Sequence, residues 1–375
     1  MGALDAYAVP DIFIGMNQKT IQKILHAAVQ APSGDNVQPW DFSVSSDFKQ
    51  IELYNLPDKD TSCFNHEQTS SLLAHGAVLE NMIIASKKLG YETRYQLFPD
   101  TQKNHIATIK LSPAADSLQQ NNLYPFIFQR KTHRFPYKKE AIPQSIIQTL
   151  QNCLTEKNGV SIHITKEAEI KRLLAKQFKI NDAIIFERKE IHHFLFNQVR
   201  WNNRQIEQTQ DGMPVDVLGL NPFEQLMFPV LQFWTYVRLA NYLGLSKTIA
   251  FKSQRNYQQA PVLGILTLQQ TDKKALVEGG RAMQRLWLEA TRQGLALQPV
   301  IGLPMLAWQL KAGRLQEFSA RHRQWIQTAA EEIPAIFGLK DNQTLLMGFR
   351  MGFAKQISSS DRTIRRTVTL KNSLS

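Results

Sequence analysis

The residues best suited to chemistry lie in Ala31-Pro32-Ser33-Gly34-Asp35-Asn36-Val37-Gln38-Pro39-Trp40-Asp41-Phe42. A helix-stopping proline, small and hydroxyl residues, an amide and a tryptophan stand together there. Backbone groups and short polar side chains in such an order can close against a planar polar ligand. The stretch reads as a cofactor turn between an apolar helix and a strand, with Pro32, Ser33, Asn36 and Gln38 as candidate binding residues. A second concentration is basic: Arg362, Arg365 and Arg366 cluster near the C-terminus. Guanidinium forks match phosphate oxygens.

Composition bounds what such residues can serve. A chain of 375 residues can bury one large core or two ordinary ones. Hydrophobic content of 43% with 20% charge is globular. The nearest approach to a membrane-spanning run, 228–245, is interrupted by Gln232, Arg238 and Asn241 and reads as a buried amphipathic helix. No basic cluster precedes an apolar stretch at the N-terminus, so a cytoplasmic protein is expected. Cys63 and Cys153 are too few and too far apart for a disulfide framework or zinc site. His192 and His193 diverge by about 100° on a helix and have no accompanying ligand set, so no metal is expected. A net charge of +12 admits nucleic acid, an anionic membrane or phosphorylated small molecules. Because the basic residues are spread along the chain, a phosphate-bearing cofactor is favoured, nucleic acid is secondary and no membrane partner is expected.

An internal repeat organises the chain. Residues 76–90, GAVLENMIIASKKLG, align without gaps on 280–294, GRAMQRLWLEATRQG. Both read as helices with small residues at the start and a glycine stop, each with one apolar stripe: Val78, Leu79, Met82 and Ile83 against Ala282, Met283, Leu286 and Trp287. Strand-like runs follow at 106–111 and 344–353. Upstream, the helix 21–31 matches the helix 143–154, which leads to a strand at 160–165. The second copy lacks the Pro-Ser-x-x-Asn turn. It opens instead with Arg130-Lys131-Thr132-His133-Arg134-Phe135, whereas residues 1–20 contain no arginine. Each half keeps what the other has lost, as two halves of one composite site would.

The turn resembles the Pro-Ser-x-x-Asn-x-Gln-Pro-Trp segment of the FMN-dependent nitroreductase superfamily, in which it lies along the flavin. Residues 130–134 are similar to that family's Arg-Arg-Ser/Thr-x-Arg opening, with Lys131 and Thr132 replacing the commoner Arg and Ser. Family members resemble one half of this chain and form homodimers with flavin at the interface, so the chain looks like the twin, internally duplicated subgroup. The resemblance implies an α+β fold of two mixed β-sheet units flanked by helices, forming an intrachain pseudo-dimer. The first half would be 1–120 and the second 121–375, with a helical lid insertion at about 166–257. Further homodimerisation stays open.

The resemblance also implies roles. Arg130 and Arg134 would offset the negative charge of reduced flavin, and Lys131 and Thr132 would border it. Arg365 and Arg366 would hold the phosphate, with Arg362 or Arg350 as substitutes. Ile301 and Gly302, in Gln298-Pro299-Val300-Ile301-Gly302, occupy the place of a loop offering a backbone amide to the flavin ring. No G-x-G-x-x-G fingerprint is present, so nicotinamide would visit the flavin pocket. Two functions follow: an FMN oxidoreductase passing hydride from NAD(P)H to a nitroaromatic, quinone or other electron-poor small molecule, or a non-catalytic FMN-binding protein that stores or senses flavin.

Overall fold

The computed structural model describes residues 16–100, 102–114, 123–154, 159–339, 343–354, 363–368 and 371–372. The first half runs α1 (Gln18–Ala28), β1 (Trp40–Val44), β2 (Gln50–Asn55), α2 (Thr69–Lys88), β3 (Tyr91–Leu97) and β4 (His105–Pro113). The second half begins with the short α3 (Tyr124–Ile127), followed by α4 (Gln144–Asn152) and β5 (Val160–Thr165). An insertion follows: α5 (Ala168–Glu187), α6 (Lys189–Asn197), β6 (Val199–Arg200), α7 (Asn203–Thr209), β7 (Met213–Pro214), α8 (Pro222–Met227), α9 (Trp234–Tyr242) and α10 (Leu245–Gln258). The half resumes with β8 (Val262–Leu268), α11 (Lys273–Arg292), β9 (Ala296–Val300), α12 (Gly302–Lys311), α13 (Ala320–Ile336) and β10 (Thr344–Gly352). The short β11 (Lys371–Asn372) ends the described chain.

The duplication is visible in the topology. One sheet has the order β1-β2-β4-β3 with β11 added beside β1, and the other has the order β5-β8-β10-β9. Strands matched by the repeat therefore occupy matched places. Only the first sheet is mixed, because β11 adds parallel to β1; the described strands of the second are all antiparallel. The C-terminal chain thus returns to the sheet of the first half.

Helices α2 and α11, each of 20 residues, form the seam between the halves. A Cβ on Gly76 would overlap the Val277 carbonyl oxygen and come within 2.8 Å of the Arg281 nitrogen. A Cβ on Gly280 would overlap the Leu73 carbonyl oxygen. Gly76 and Gly280 are repeat equivalents, and so are Leu73 and Val277, three residues before each glycine. The contact is reciprocal, as in an isologous dimer interface. Only glycine lets the two backbones approach this closely. Around the seam one apolar cluster draws on both halves, including Ile24, Leu79 and Met82 from the first and Leu286, Trp287 and Met351 from the second.

Two sequence expectations change. The helix expected at 21–31 is α1, which ends at Ala28 and leaves the following residues to the turn. The stretch 228–245 is not one buried helix: Pro229 leads into a 3₁₀ turn at Val230–Gln232, α9 follows, and the chain breaks at Gly244 with φ of 90°. Only Phe228 and Val237 are buried in it, whereas Phe233, Tyr236, Leu239, Tyr242 and Leu243 are exposed. Its apolar residues are divided between a buried and a bare side.

Candidate functional site

Segments distant in sequence line one cleft of about 50 Å³. Pro32, Ser33, Asp35 and Asn36 come from the first half; Arg130, Lys131, Thr132 and Arg134 open the second. Met213 and Val217 come from the insertion, and Thr363 and Arg365 from the C-terminal segment. The turn and the arginine stretch, separate in sequence, share this site.

The turn is a 3₁₀ element at Gly34–Asn36. Asp35, Asn36 and Gln38 have φ of 44°, 60° and 54°. Such left-handed residues cost of order 1–3 kcal/mol each, least for Asn and Asp. Hydrogen bonds offset that cost. The Gln38 backbone N–H donates to Ser33 Oγ at 3.0 Å. Asn36 Nδ2 donates to the Gly212 and Ile364 carbonyls, each at 3.0 Å, and Gln38 Nε2 donates to the Gln210 carbonyl at 2.7 Å. Arg365 donates to Asn36 Oδ1 at 2.6 Å, and the Arg366 backbone N–H to Gln38 Oε1 at 2.9 Å. The amides of Asn36 and Gln38 therefore stitch the turn to the insertion and the C-terminal segment.

The basic wall is held by its neighbours. Arg130 is buried, donates to the Gln30 carbonyl at 2.9 Å, and its guanidinium lies 4.6 Å from the centre of the Trp287 ring. Thr132 bridges to Leu297, and the His133 N–H donates to the Leu297 carbonyl at 3.0 Å, so this stretch runs along β9. Arg134 faces the insertion, with the Val217 carbonyl at 3.4 Å and Met213 Sδ at 3.3 Å. Gly219 permits that approach, since a Cβ there would lie 2.8 Å from the Arg134 carbonyl oxygen. Burial lowers the Arg134 pKa, and Asp35 opposes the shift. Among the described residues, Asp35 is the one carboxylate lining the cleft. Burial, reinforced by Asp60, pushes its pKa up to about 6, against the pull of Arg134.

Other candidates lie elsewhere. Arg350 is buried behind the cleft, donating to Gln298 Oε1 at 2.5 Å and to the Arg134 carbonyl at 2.7 Å, with its guanidinium 5.0 Å from the Tyr137 ring centre. It positions Arg134. The sequence signal was an arginine inside an otherwise apolar strand, since a buried charge needs partners. Ile301 precedes α12, and a Cβ on Gly302 would overlap Asn181 Oδ1 and lie 3.0 Å from Phe64. Neither residue lines the cleft. Arg366 donates its guanidinium to the Gln38 carbonyl and borders a neighbouring cavity of about 670 Å³ between α1 and 363–368, which Arg365 also lines. Arg362 lies outside the described residues. His192 is buried with its Nε2 2.7 Å from the Leu231 carbonyl, and the described residues hold no group of three or more potential metal ligands. Met213, Val217 and Thr363 were missed by sequence reasoning because only tertiary folding brings them here.

Among the described residues, the cleft's polar side chains are four cations, the hydroxyls of Ser33, Thr132 and Thr363, the Asn36 amide and one carboxyl group, beside the apolar Pro32, Met213 and Val217. That set fits an anionic, phosphate-bearing ligand with its own hydroxyls. Its volume is below the roughly 300–1,000 Å³ of ligand pockets, so a large ligand enters only with displacement of side chains such as Arg365.

No family model matches the chain. A Mycobacterium tuberculosis protein provisionally named NAD(P)H nitroreductase Rv3131 is 29% identical over 126 residues, covering 33% of this chain and 36% of that protein. The provisionally named NAD(P)H nitroreductase acg of the same organism is 25% identical over 208 residues, 55% of this chain and 60% of its own length. The uncharacterized protein MT1398 is 25% identical over 298 residues, 78% of this chain and 40% of its length. The matches thus span between 36 and 60% of these relatives. Among solved structures, a nitroreductase with bound FMN from Desulfitobacterium hafniense aligns with a TM-score of 0.35 at 13% identity, covering 64% of this chain and 93% of that one. The FMN-dependent nitroreductase NfnB from Mycobacterium smegmatis, in complex with NADPH, aligns with a TM-score of 0.32 at 15% identity, covering 61% and 86%. Structural likenesses this weak carry no weight for function. In sequence, the chain is a relative of proteins named as NAD(P)H nitroreductases.

Proposed function

We propose that the chain is an FMN-dependent NAD(P)H oxidoreductase acting on a nitroaromatic, quinone or other electron-poor small molecule. The supporting observation is the composite cleft, where the first half's turn meets the cations that open the second. On this reading the chain is a cytoplasmic, monomer-sized pseudo-dimer divided at 120/121, with 166–257 as the lid. Bound FMN would supply hydride exchange with NAD(P)H and with the substrate. Arg365 would bind its phosphate, supported by Arg366, while Ser33, Lys131 and Thr132 hold its polar edges. Arg130 and Arg134 would place fixed positive charge where reduction develops negative charge. Arg350, by holding the Arg134 carbonyl, would orient the second of these. The storage or sensing reading is favoured by the narrowness of the cleft and by Met213 and Val217 on its wall, which leave a second ring little room.

Released flavin measured against protein is expected to give one FMN per chain; a ratio near two would show that the symmetry-related site of the opposite halves binds flavin as well. Anaerobic NADH or NADPH is expected to bleach that flavin rapidly. Bound flavin that stays oxidised under both would select the storage reading. Replacing Arg365 and Arg366 together by alanine is expected to weaken FMN binding about 100-fold, the effect of losing charge-assisted bonds, with little change in far-UV circular dichroism. Undiminished affinity would move the phosphate away from these residues.

A further inference from the structure

We infer that the outer surface of α8, α9 and α10 seats the protein on an anionic lipid bilayer. Of the large apolar side chains exposed among the described residues, all but Ile364 fall between Phe223 and Phe251. Phe223, Leu226, Leu239, Tyr242, Leu243 and Phe251 are between 64 and 90% exposed. Their spacing gives this surface a side. Phe223 and Leu226 are three apart on α8, and Tyr236, Leu239 and Leu243 follow at three and four along and just beyond α9, so each set shares a helix face. The opposite side is pinned: Val237 is buried, and Asn241 Nδ2 donates to the Phe186 carbonyl at 2.7 Å. The Glu224–Lys252 ion pair ties α8 to α10.

Charge selects the occupant. From Val217 to Thr271 the one acidic residue is Glu224, already engaged by Lys252, while Arg238, Lys247, Lys252 and Arg255 are all exposed. On α10, Lys247, Phe251 and Arg255 lie four apart and share a face, so apolar and basic groups point outward together. A surface with bare aromatic and aliphatic groups inside a basic rim complements anionic headgroups over an apolar interior. A second copy would bring the same rim, with a net charge of +12 on each chain, and oppose like charges. No helix among the described residues is long and apolar enough to cross a membrane, so the contact is interfacial. This departs from the expectation that the chain has no membrane partner; that expectation rested on basic residues spread along the sequence and on the lack of a spanning run, whereas the present surface gathers apolar and basic groups on short helices.

The test is flotation of the purified full chain with vesicles. The protein is expected to rise with equimolar phosphatidylglycerol and phosphatidylcholine, to remain behind with phosphatidylcholine alone, and to be released near 1 M salt, where screening acts over about 3 Å. Combined Phe223→Ser, Leu239→Ser and Leu243→Ser changes replace exposed groups, so the far-UV spectrum and thermal melt should be retained while vesicle binding falls at least about tenfold. Failure of the parent protein to float overturns the inference. So does equal flotation of the folded triple variant, which would assign binding to net charge alone. A parent that does not float but is a dimer, with the triple variant monomeric by light scattering, would assign the surface to a second copy instead.

Discussion

Gly280→Leu is expected to destabilise the protein by about 3–5 kcal/mol, measured as a fall in the urea midpoint and hence in extrapolated stability. The smallest added atom, a Cβ, already overlaps the Leu73 carbonyl and lies 2.8 and 2.9 Å from other Leu73 backbone atoms. Backbone cannot rotate aside as a side chain can, so α2 and α11 must separate and the apolar cluster between the halves must open. Against a typical total of about 5–15 kcal/mol, that loss is large. Gly294→Ala is the control. It caps the same helix at φ of 73° with nothing within 4 Å of the added atom, so only the left-handed conformation is penalised, by about 1–2 kcal/mol. If Gly280→Leu melts with the parent, the close approach of the two helices is wrong.

Asp35→Asn should act in the opposite direction, raising stability at pH 7 by about 3 kcal/mol. The folded protein lifts the Asp35 pKa from its ordinary 3.8 to about 6. It therefore holds the proton more tightly than the unfolded chain does, and folding weakens as pH climbs from about 4 to about 6. Above that window the full cost of the half-buried carboxylate remains; below it the cost vanishes. Asparagine cannot ionise and tolerates φ of 44°. The variant and parent should thus have equal stability near pH 3.5 and diverge towards neutrality, as urea titrations at several pH values would show. The same change makes the cleft more positive, so FMN affinity should not fall. A constant stability difference across the pH range would show that Asp35 is ordinarily solvated.

Much of this arrangement could be read in the residues, but not all for the same reason. The repeat was legible because its glycines and apolar stripe are local patterns, and the composite cleft followed from one half keeping a turn while the other kept arginines. The reciprocal overlap of Gly76 and Gly280 was not legible, because a small residue at a helix start does not reveal what packs there. Asn36 and Gln38 were read only for what they could offer a ligand; that their amides also bind Gly212, Ile364 and Gln210 backbone, with Asn36 still lining the cleft, was not legible. Side-chain chemistry shows what a group can bond to, and tertiary geometry decides which partner arrives. The same limit explains 228–245, where periodicity marked apolar positions without showing that one side would stay uncovered.

The seam also determines which halves can pair. Glu80, 1% exposed, meets Arg281 at 3.1 Å and Arg285 at 2.5 Å across it. Its repeat equivalent is Gln284, and the positions matching Arg281 and Arg285 are Ala77 and Asn81. Two first halves brought together would set Glu80 against an alanine and an asparagine, leaving a buried carboxylate without a cation, which costs several kcal/mol. Two second halves would confront Gln284 with Arg281, which keeps only Glu278 of its own helix, and with Arg285, which has lost its acid. Only unlike halves satisfy both sides. Once joined in one chain, the copies could thus diverge into lock and key, so that pairing of like halves from neighbouring molecules is disfavoured by the charge pattern at the joint itself.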